Sequence, residues 1–245
     1  MGGEEWLLWR DGAHDPWFNM AADELLLQRT AEFAGRVLVR IYRWDRPAVS
    51  FGYSQIYPAE LRDRYTVVRR PTGGGVVWHD VDLTYTVVVP PGHAIMKLDR
   101  MESYRIFHRA LLAELGRSGV AAALAPEGTP GVERATMRCF VSPSRYDVVA
   151  PDGGKYAGAA QRRTRLGILH QGSIMLEAAQ GSWERLESEL LRSLEREFAV
   201  TWAAWNPPDD FPAAAARLGR SKYASADWNE RHIWEEAGTG DAGRH

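Results

Sequence analysis

Apolar residues recur at helical spacing in three stretches of the chain and gather in short β-rich runs between them. After Pro16, Met20, Leu25, Leu26 and Leu27 fall among Asp23, Glu24 and Arg29, a mixture that predicts an amphipathic helix opened by proline over 16–33. Met101, Tyr104, Ile106, Phe107, Leu111, Leu112 and Leu115 predict a second helix over 99–118, with Gly116 and Gly119 as stop signals. Leu186, Leu190, Leu191, Leu194 and Phe198 share one face of a third, over 182–198, and a short helical piece is expected at 209–218. Runs at 37–42, 48–51, 66–69, 76–78 and 83–89, punctuated by proline and glycine, read as strands of one sheet. Runs at 146–149, 155–161 and 168–176 read as a β meander, with a turn at Pro151-Asp152-Gly153-Gly154 and another around 165–167. Between helix and meander, 125–136 is a loop of proline, glycine and small residues. Strands in runs, broken by long helices without regular βαβ alternation, predict an α+β fold: a mixed or antiparallel sheet covered by helices. Nothing repeats internally. One domain is expected over 1–236, with a small, polar tail at 237–245 that frays.

Composition narrows the function classes. The 245 residues are 45% hydrophobic and 25% charged, with 30 basic against 32 acidic side chains, so no global positive field is available to hold nucleic acid. No apolar run approaches the roughly 20 residues of a membrane span, and the N-terminus lacks the basic start and apolar stretch of a secretory signal. The single cysteine cannot form an intramolecular disulfide or a cysteine-rich zinc cluster, which makes a reducing cytoplasm the expected setting. Lysine is scarce: Lys97, Lys155 and Lys222 stand against a large excess of arginine.

Four segments could carry chemistry. In Arg69-Arg70-Pro71-Thr72-Gly73-Gly74-Gly75-Val76-Val77-Trp78-His79-Asp80, three glycines between two strands let backbone approach a ligand and aim amides at an oxygen; a tight turn is the plainer reading. It is neither a Walker loop nor a dinucleotide fingerprint. Cys139 follows the loop between Arg134 and Arg138 and Phe140, an electropositive setting that favours thiolate over an inert buried thiol. Lys155 heads a strand of very small residues, Ala157-Gly158-Ala159-Ala160, whose poor β propensity suggests that something packs against it, such as a long ligand tail; a solvated turn lysine is the alternative. His170-Gln171-Gly172-Ser173 lies on the next strand, and pairing could bring it near Lys155. The histidines are scattered without fixed spacing, so no metal is expected. Arg162, Arg163 and Arg165 form a basic cluster that is a solvated face or a docking patch for an acidic partner.

Together these motifs resemble the lipoate-protein ligase and octanoyltransferase family, related in fold to biotin-protein ligases and class II synthetases. The glycine segment is similar to the family's Arg-Arg-x-(Ser/Thr)-Gly-Gly-Gly-x-x-x-His-Asp signature, and Lys155-x-x-Gly158-x-Ala160 to its lysine motif. His170-Gln171-Gly172-Ser173 is similar to the third block, with His and Gln in reversed order. Cys139-Phe140-x-x-Pro143-x-x-Tyr146-Asp147 matches the Cys-Phe-x-x-Pro-x-x-Tyr-(Asp/Glu) context of one cysteine-dependent octanoyltransferase branch. The resemblance implies Cys139 and Lys155 as catalytic residues. It implies Arg70, Thr72, Gly73, Gly74, Gly75, Val76, Val77, Trp78, His79, Gly158, Ala159, Ala160, His170 and Gly172 at the substrate, with loop amides stabilising the acyl oxygen and Gly158, Ala159 and Ala160 making room for the chain. Arg162, Arg163 and Arg165 would meet the partner protein. The implied reaction moves an octanoyl group from octanoyl-acyl carrier protein to a lysine of an E2 lipoyl domain or of the glycine-cleavage H protein, without a cofactor. Two alternatives stand beside it: an ATP- and Mg-dependent lipoate-protein ligase forming lipoyl-AMP, and a non-catalytic module that binds lipoyl domains or carriers.

Overall fold

The computed structural model describes residues 3–126, 143–179 and 182–234. In chain order its elements are β1 (Glu4–His14), α1 (Pro16–Gln28), β2 (Leu38–Trp44), β3 (Ala48–Phe51), β4 (Thr66–Arg69), β5 (Val77–His79) and β6 (Asp82–Val89). Then follow α2 (Arg100–Arg117), β7 (Ala123–Leu124), β8 (Val148–Val149), β9 (Lys155–Thr164), β10 (Gly167–Met175), α3 (Trp183–Phe198), β11 (Val200–Ala204), α4 (Phe211–Leu218) and α5 (Ala226–Asn229). Each long helix starts on a side-chain cap: Asp15 accepts from the Phe18 amide, Asp99 from Glu102 and Ser182 from Arg185. The first helix is shorter than its apolar pattern predicts. It stops at Gln28 and passes into a 3-10 turn, Thr30–Phe33, because the chain must double back to bury Phe33 completely.

Eight strands form one mixed sheet in the order β11-β1-β2-β6-β10-β9-β8-β7. The expected meander is its antiparallel β8-β9-β10 portion, extended through β6 to β2, while β1 runs parallel to both β2 and β11. Helices α2 and α3 cover one face, where Ile41, Tyr85, Val87, Ile168 and Ile174 meet Phe107, Leu111, Leu190 and Leu194. Helices α1 and α4 cover the other, where Leu7, Trp9, Leu38, Val88 and Leu169 meet Leu26, Leu27, Phe211 and Ala215. With both faces covered, successive strand residues alternate between two cores, and so the central strands read as continuous apolar runs.

One expectation is corrected. The strands at 48–51, 66–69 and 76–78 do not join the main sheet; β4-β3-β5 form a separate three-stranded sheet. Val49, Phe51, Val67 and Val76 bury one another beneath Tyr57, Leu61, Tyr65 and Trp78, which gives this sheet a core of its own. It holds the glycine loop, between β4 and β5, over the α1 face of the large sheet. Among the described residues no helix is long and apolar enough to cross a membrane.

Candidate active site

Strand register builds the floor of the site. Tyr42, Thr84, Ser173 and Gly158 pair across β2, β6, β10 and β9, and Arg40, Thr86, Gln171 and Ala160 form the adjoining row two residues away. Side chains alternate along strands, so both rows face the same side, toward α1 and the small sheet. There they border two small cavities that share Arg70, Val77 and Ser173. One is lined also by Lys155, Gly158, Ala159 and Ala160. The other is lined by Met20, Tyr42, Trp44, Ser50, His79, Thr84, Gln171 and Gly172.

Between the floor and α1, the buried Asp23 charge is paired. The Asp23 carboxylate, completely buried, accepts from Arg40, Tyr42, Thr86 and the Gln171 amide at 2.7–3.0 Å. Gln171 Oε1 in turn accepts from Thr72 Oγ1 at 2.6 Å, which ties the glycine segment to β10. Burial, with Asp23 adjacent, pushes the Tyr42 hydroxyl well above its ordinary range and keeps it a neutral donor.

Arg70 shapes the loop above. Its guanidinium donates to the carbonyls of Gly73 and Gly75 and to Ser50 Oγ, each at 2.8 Å. A trans peptide points its N–H opposite its carbonyl, so the amides following those two carbonyls turn away from Arg70. The loop therefore does not offer a cradle of amides on the Arg70 side, and the positive charge that the two cavity walls share is the arginine itself. Gly74 takes φ +87, and a Cβ on Gly52 would lie 2.0 Å from the Gly74 carbonyl oxygen, so backbone packs on backbone here. Next to it His79 bridges Ser50 Oγ (2.6 Å) and Asp82 (2.9 Å) and stacks on Trp44 at 4.0 Å.

Lys155 is buried at the opposite wall, its ammonium 2.7 Å from Asp147 Oδ2. Asp147 also accepts from the Ser144 amide (2.6 Å) and from the Tyr104 hydroxyl of α2 (2.5 Å), which itself accepts from the Ala159 amide (3.1 Å). A Cβ on Gly158 would lie 2.1 Å from Lys155 Cε and 2.2 Å from Nζ. The glycine thus makes room first for the end of the lysine, and only with Ala160 for anything in the cavity. Cys139 lies outside the described residues. The chain leaves them at Pro126 and returns at Pro143, and both ends are pinned at one place: Ala125 donates to the Asp147 carbonyl and accepts from the Tyr146 amide, each at 2.8 Å. Tyr146 sits at φ +71, a strained backbone held by that bond and by His108, whose ring bonds its carbonyl.

Several sequence-predicted residues fall elsewhere. His170 and the Cα–Cβ direction of Gly172 belong to the α2 face. His170 is fully buried among Phe107, Tyr85 and Tyr104 and bonded to Gln161, while a Cβ on Gly172 would strike the Tyr85 ring at 2.2 Å. Burial, together with neighbouring His108, holds His170 well below the ordinary histidine range, so it is a neutral core residue. The residues of that block that face the cavities are Gln171 and Ser173. The same alternation separates Val77 and His79, at the cavity, from Val76 and Trp78, which pack into the small-sheet core. Ala159 projects toward α2, and only its backbone borders the cavity. The arginine cluster also divides: Arg163 spends its guanidinium on the carbonyls of Leu98 and Ile95, whereas Arg165 is exposed and Arg162 half-buried on the opposite face. Sequence reasoning gave Ser50 and Tyr104 no place in the site and named Asp147 only as the end of the cysteine motif. Strand alternation applied within each motif would have sorted the floor residues, but only the fold brings Tyr104 to Asp147. Among the described residues no three His, Cys, Asp or Glu side chains converge as a metal site.

With this geometry in place, comparison with known proteins is specific. The family model for the lipoyl protein ligase A/B catalytic domain matches residues 15–197. Octanoyltransferase LipM of Geobacillus kaustophilus is 38% identical over 206 residues, covering 79% of this chain and 70% of the relative. The LipM of Bacillus cereus is 36% identical over 189 residues, covering 72% and 67%. Among solved structures, a lipoate-protein ligase A bound with ATP superposes with a TM-score of 0.72 at 20% identity, over 94% of this chain and 98% of that one. A chain from a bi-partite lipoate protein ligase and its E2 lipoyl domain, from Thermoplasma acidophilum, gives 0.71 at 20% identity, over 97% and 99%. These likenesses bear on the fold.

Proposed function

The chain belongs to the lipoyl protein ligase A/B catalytic-domain family, and from that premise we propose that it transfers octanoyl groups in protein lipoylation. The donor is octanoyl-acyl carrier protein and the acceptor a lysine of a lipoyl domain or H protein. The observation that carries this reading is a buried lysine at the wall of a small cavity lined by Gly158 and Ala160, beside the point where the cysteine-bearing segment is anchored at both ends.

Cys139 is the nucleophile: its thiolate attacks the thioester carbonyl, the carrier leaves as a thiol, and the acceptor amine then displaces the cysteine to form the amide. One thioester replaces another in the first step, so no nucleotide is needed. Lys155 moves the protons. Negative charge developing on the acyl oxygen is met by Arg70 and Lys155, the two cations lining the first cavity among the described residues; a fixed donor of this kind is worth about 3 kcal/mol. The acyl chain extends over Gly158 and Ala160 toward Val77, each buried methylene contributing about 0.8 kcal/mol. Arg162 and Arg165 are the members of the basic cluster left to steer an acidic carrier.

Incubation with octanoyl carrier protein is expected to leave an octanoyl mass increment on the intact enzyme, labile to hydroxylamine and mapped to Cys139. Cys139→Ala is expected to abolish both increment and transfer. Wild-type transfer by that variant, or pyrophosphate release from lipoate and ATP in place of acylation, would overturn the reading.

A further inference from the structure

Asp147 does more than close a motif. It is fully buried, and its carboxylate joins three elements: the Lys155 ammonium on β9, the Tyr104 hydroxyl on α2, and the Ser144 amide one residue after the chain returns from the cysteine-bearing segment. Four hydrogen-bonded backbone atoms hold it from behind: its own amide donates to the Ser144 carbonyl, its carbonyl accepts from Ala125, and the adjoining Tyr146 amide and carbonyl bind Ala125 and His108. So much fixing around one carboxylate argues for a charge that must not wander.

We propose that Asp147 is a positioning residue that holds Lys155 as an ammonium aimed across Gly158 into the cavity, and thereby fixes the order of proton transfers in acyl transfer. The inference rests on the transferase reading above. In the resting site the lysine is protonated and Cys139 is the thiolate. When the thiolate bonds to the thioester carbon and the carbon–sulfur bond to the carrier breaks, the ammonium gives its proton to the departing carrier sulfur and becomes an amine. When the acceptor amine bonds to the acyl carbon and Cys139 leaves as thiolate, the Lys155 amine takes the proton shed by the new amide nitrogen. One acyl group and one proton cross in each direction, and thiolate and ammonium are restored. A lysine that rested neutral would have no proton to give in the first step.

Among the described residues the titratable and charged groups facing this pair are Tyr104 and His108 from α2 and Arg70 across the cavity. Burial brings His108 down to about 4, and it is neutral throughout the working range. Arg70 remains charged, and so Asp147 is the one carboxylate among them that favours the ammonium.

The test is single-turnover acylation by octanoyl carrier protein as a function of pH, read by intact mass, for wild type, Asp147→Asn and Asp147→Glu. An opposite charge at this distance shifts a titration by about one to three units. The alkaline limb of acylation, where Lys155 loses its proton, is therefore expected to move to lower pH by about that much in Asp147→Asn, with acylation at pH 7.5 reduced tenfold or more. Asp147→Glu is expected to bring the limb back. Limbs that coincide in wild type and Asn variant, or a Glu variant that behaves like Asn, overturn the inference while leaving octanoyl transfer standing. A wild type that takes up no octanoyl group overturns transfer itself, and the inference with it. Should the Asn variant fail to fold, the side-chain nitrogen signals of wild type decide. With three lysines in the chain, Lys155 can be assigned, and an amine rather than an ammonium at pH 7.5 refutes the proposal.

Discussion

At the scale of single residues, the site is organised by which side chains a strand sends to which face. Gly158 illustrates how far sequence reasoning reaches. The poverty of side chains in Ala157-Gly158-Ala159-Ala160 signals that something packs there, yet no periodicity reveals that the first occupant is Lys155 itself. Because the atoms a methyl group would meet belong to the far end of a flexible side chain, Gly158→Ala should fold normally while pushing the ammonium off Asp147. Its melting temperature is expected to stay within a few degrees of wild type while octanoyl transfer falls about 100-fold, the effect of misplacing a reacting group by about an ångström. Equal losses of stability and activity would contradict this. His170 shows the converse. Its motif context marks it for the substrate, but the two-residue period that gives Gln171 and Ser173 to the floor must deny it to His170, and the buried ring serves the core instead.

At the scale of elements, the long helices and the β8-β9-β10 meander are legible because their apolar periods are strong and their caps and turns are chemically distinct. Strands β1 and β11 are not. Trp6, Leu7, Leu8 and Trp9 are all buried, two on each face, and such a run has no period to read; β11 is short and finds its place only by parallel pairing with β1. After β11 the short helix α4 falls where the sequence places it, within 209–218, but the segment beyond it is still less legible, although it buttresses the site. Lys222 and Tyr223 bond Glu24 of α1, and the Arg69 guanidinium, fully enclosed, donates to the carbonyls of Tyr53, Gln55, Trp228 and Asn229. Desolvation brings that guanidinium down to about 10, still charged at neutral pH. Asn229 Oδ1 accepts from the Arg69 amide while its Nδ2 caps the Tyr223 and Ser225 carbonyls. Asn229→Ala leaves buried partners unmet and is expected to cost about 1–3 kcal/mol, measured by urea unfolding. A change within 0.5 kcal/mol would show that the brace carries no weight.

At the scale of the whole molecule, the α2 side of the sheet contains two histidines kept neutral by burial, His108 at about 4 and His170 far below its ordinary value. In the unfolded chain both titrate near 6.5, so the unfolded state binds more protons below that pH, and stability falls as pH drops from about 6.5 toward 4. The expected slope is about 1.4 kcal/mol per pH unit for each histidine, read from urea midpoints, and His108→Gln should flatten it. Layered helices on a mixed sheet were foreseeable from the order of elements; the division into two sheets was not, since it depends on which apolar faces find each other. One further property of the assembled molecule follows from the bonds joining Ala125 to Tyr146 and Asp147. The halves of the polypeptide on either side of that junction interlock through β6 against β10 and α2 against α3. A single hydrolytic nick between Pro126 and Pro143 would sever the backbone without separating the pieces, and the interior would remain one continuous solid.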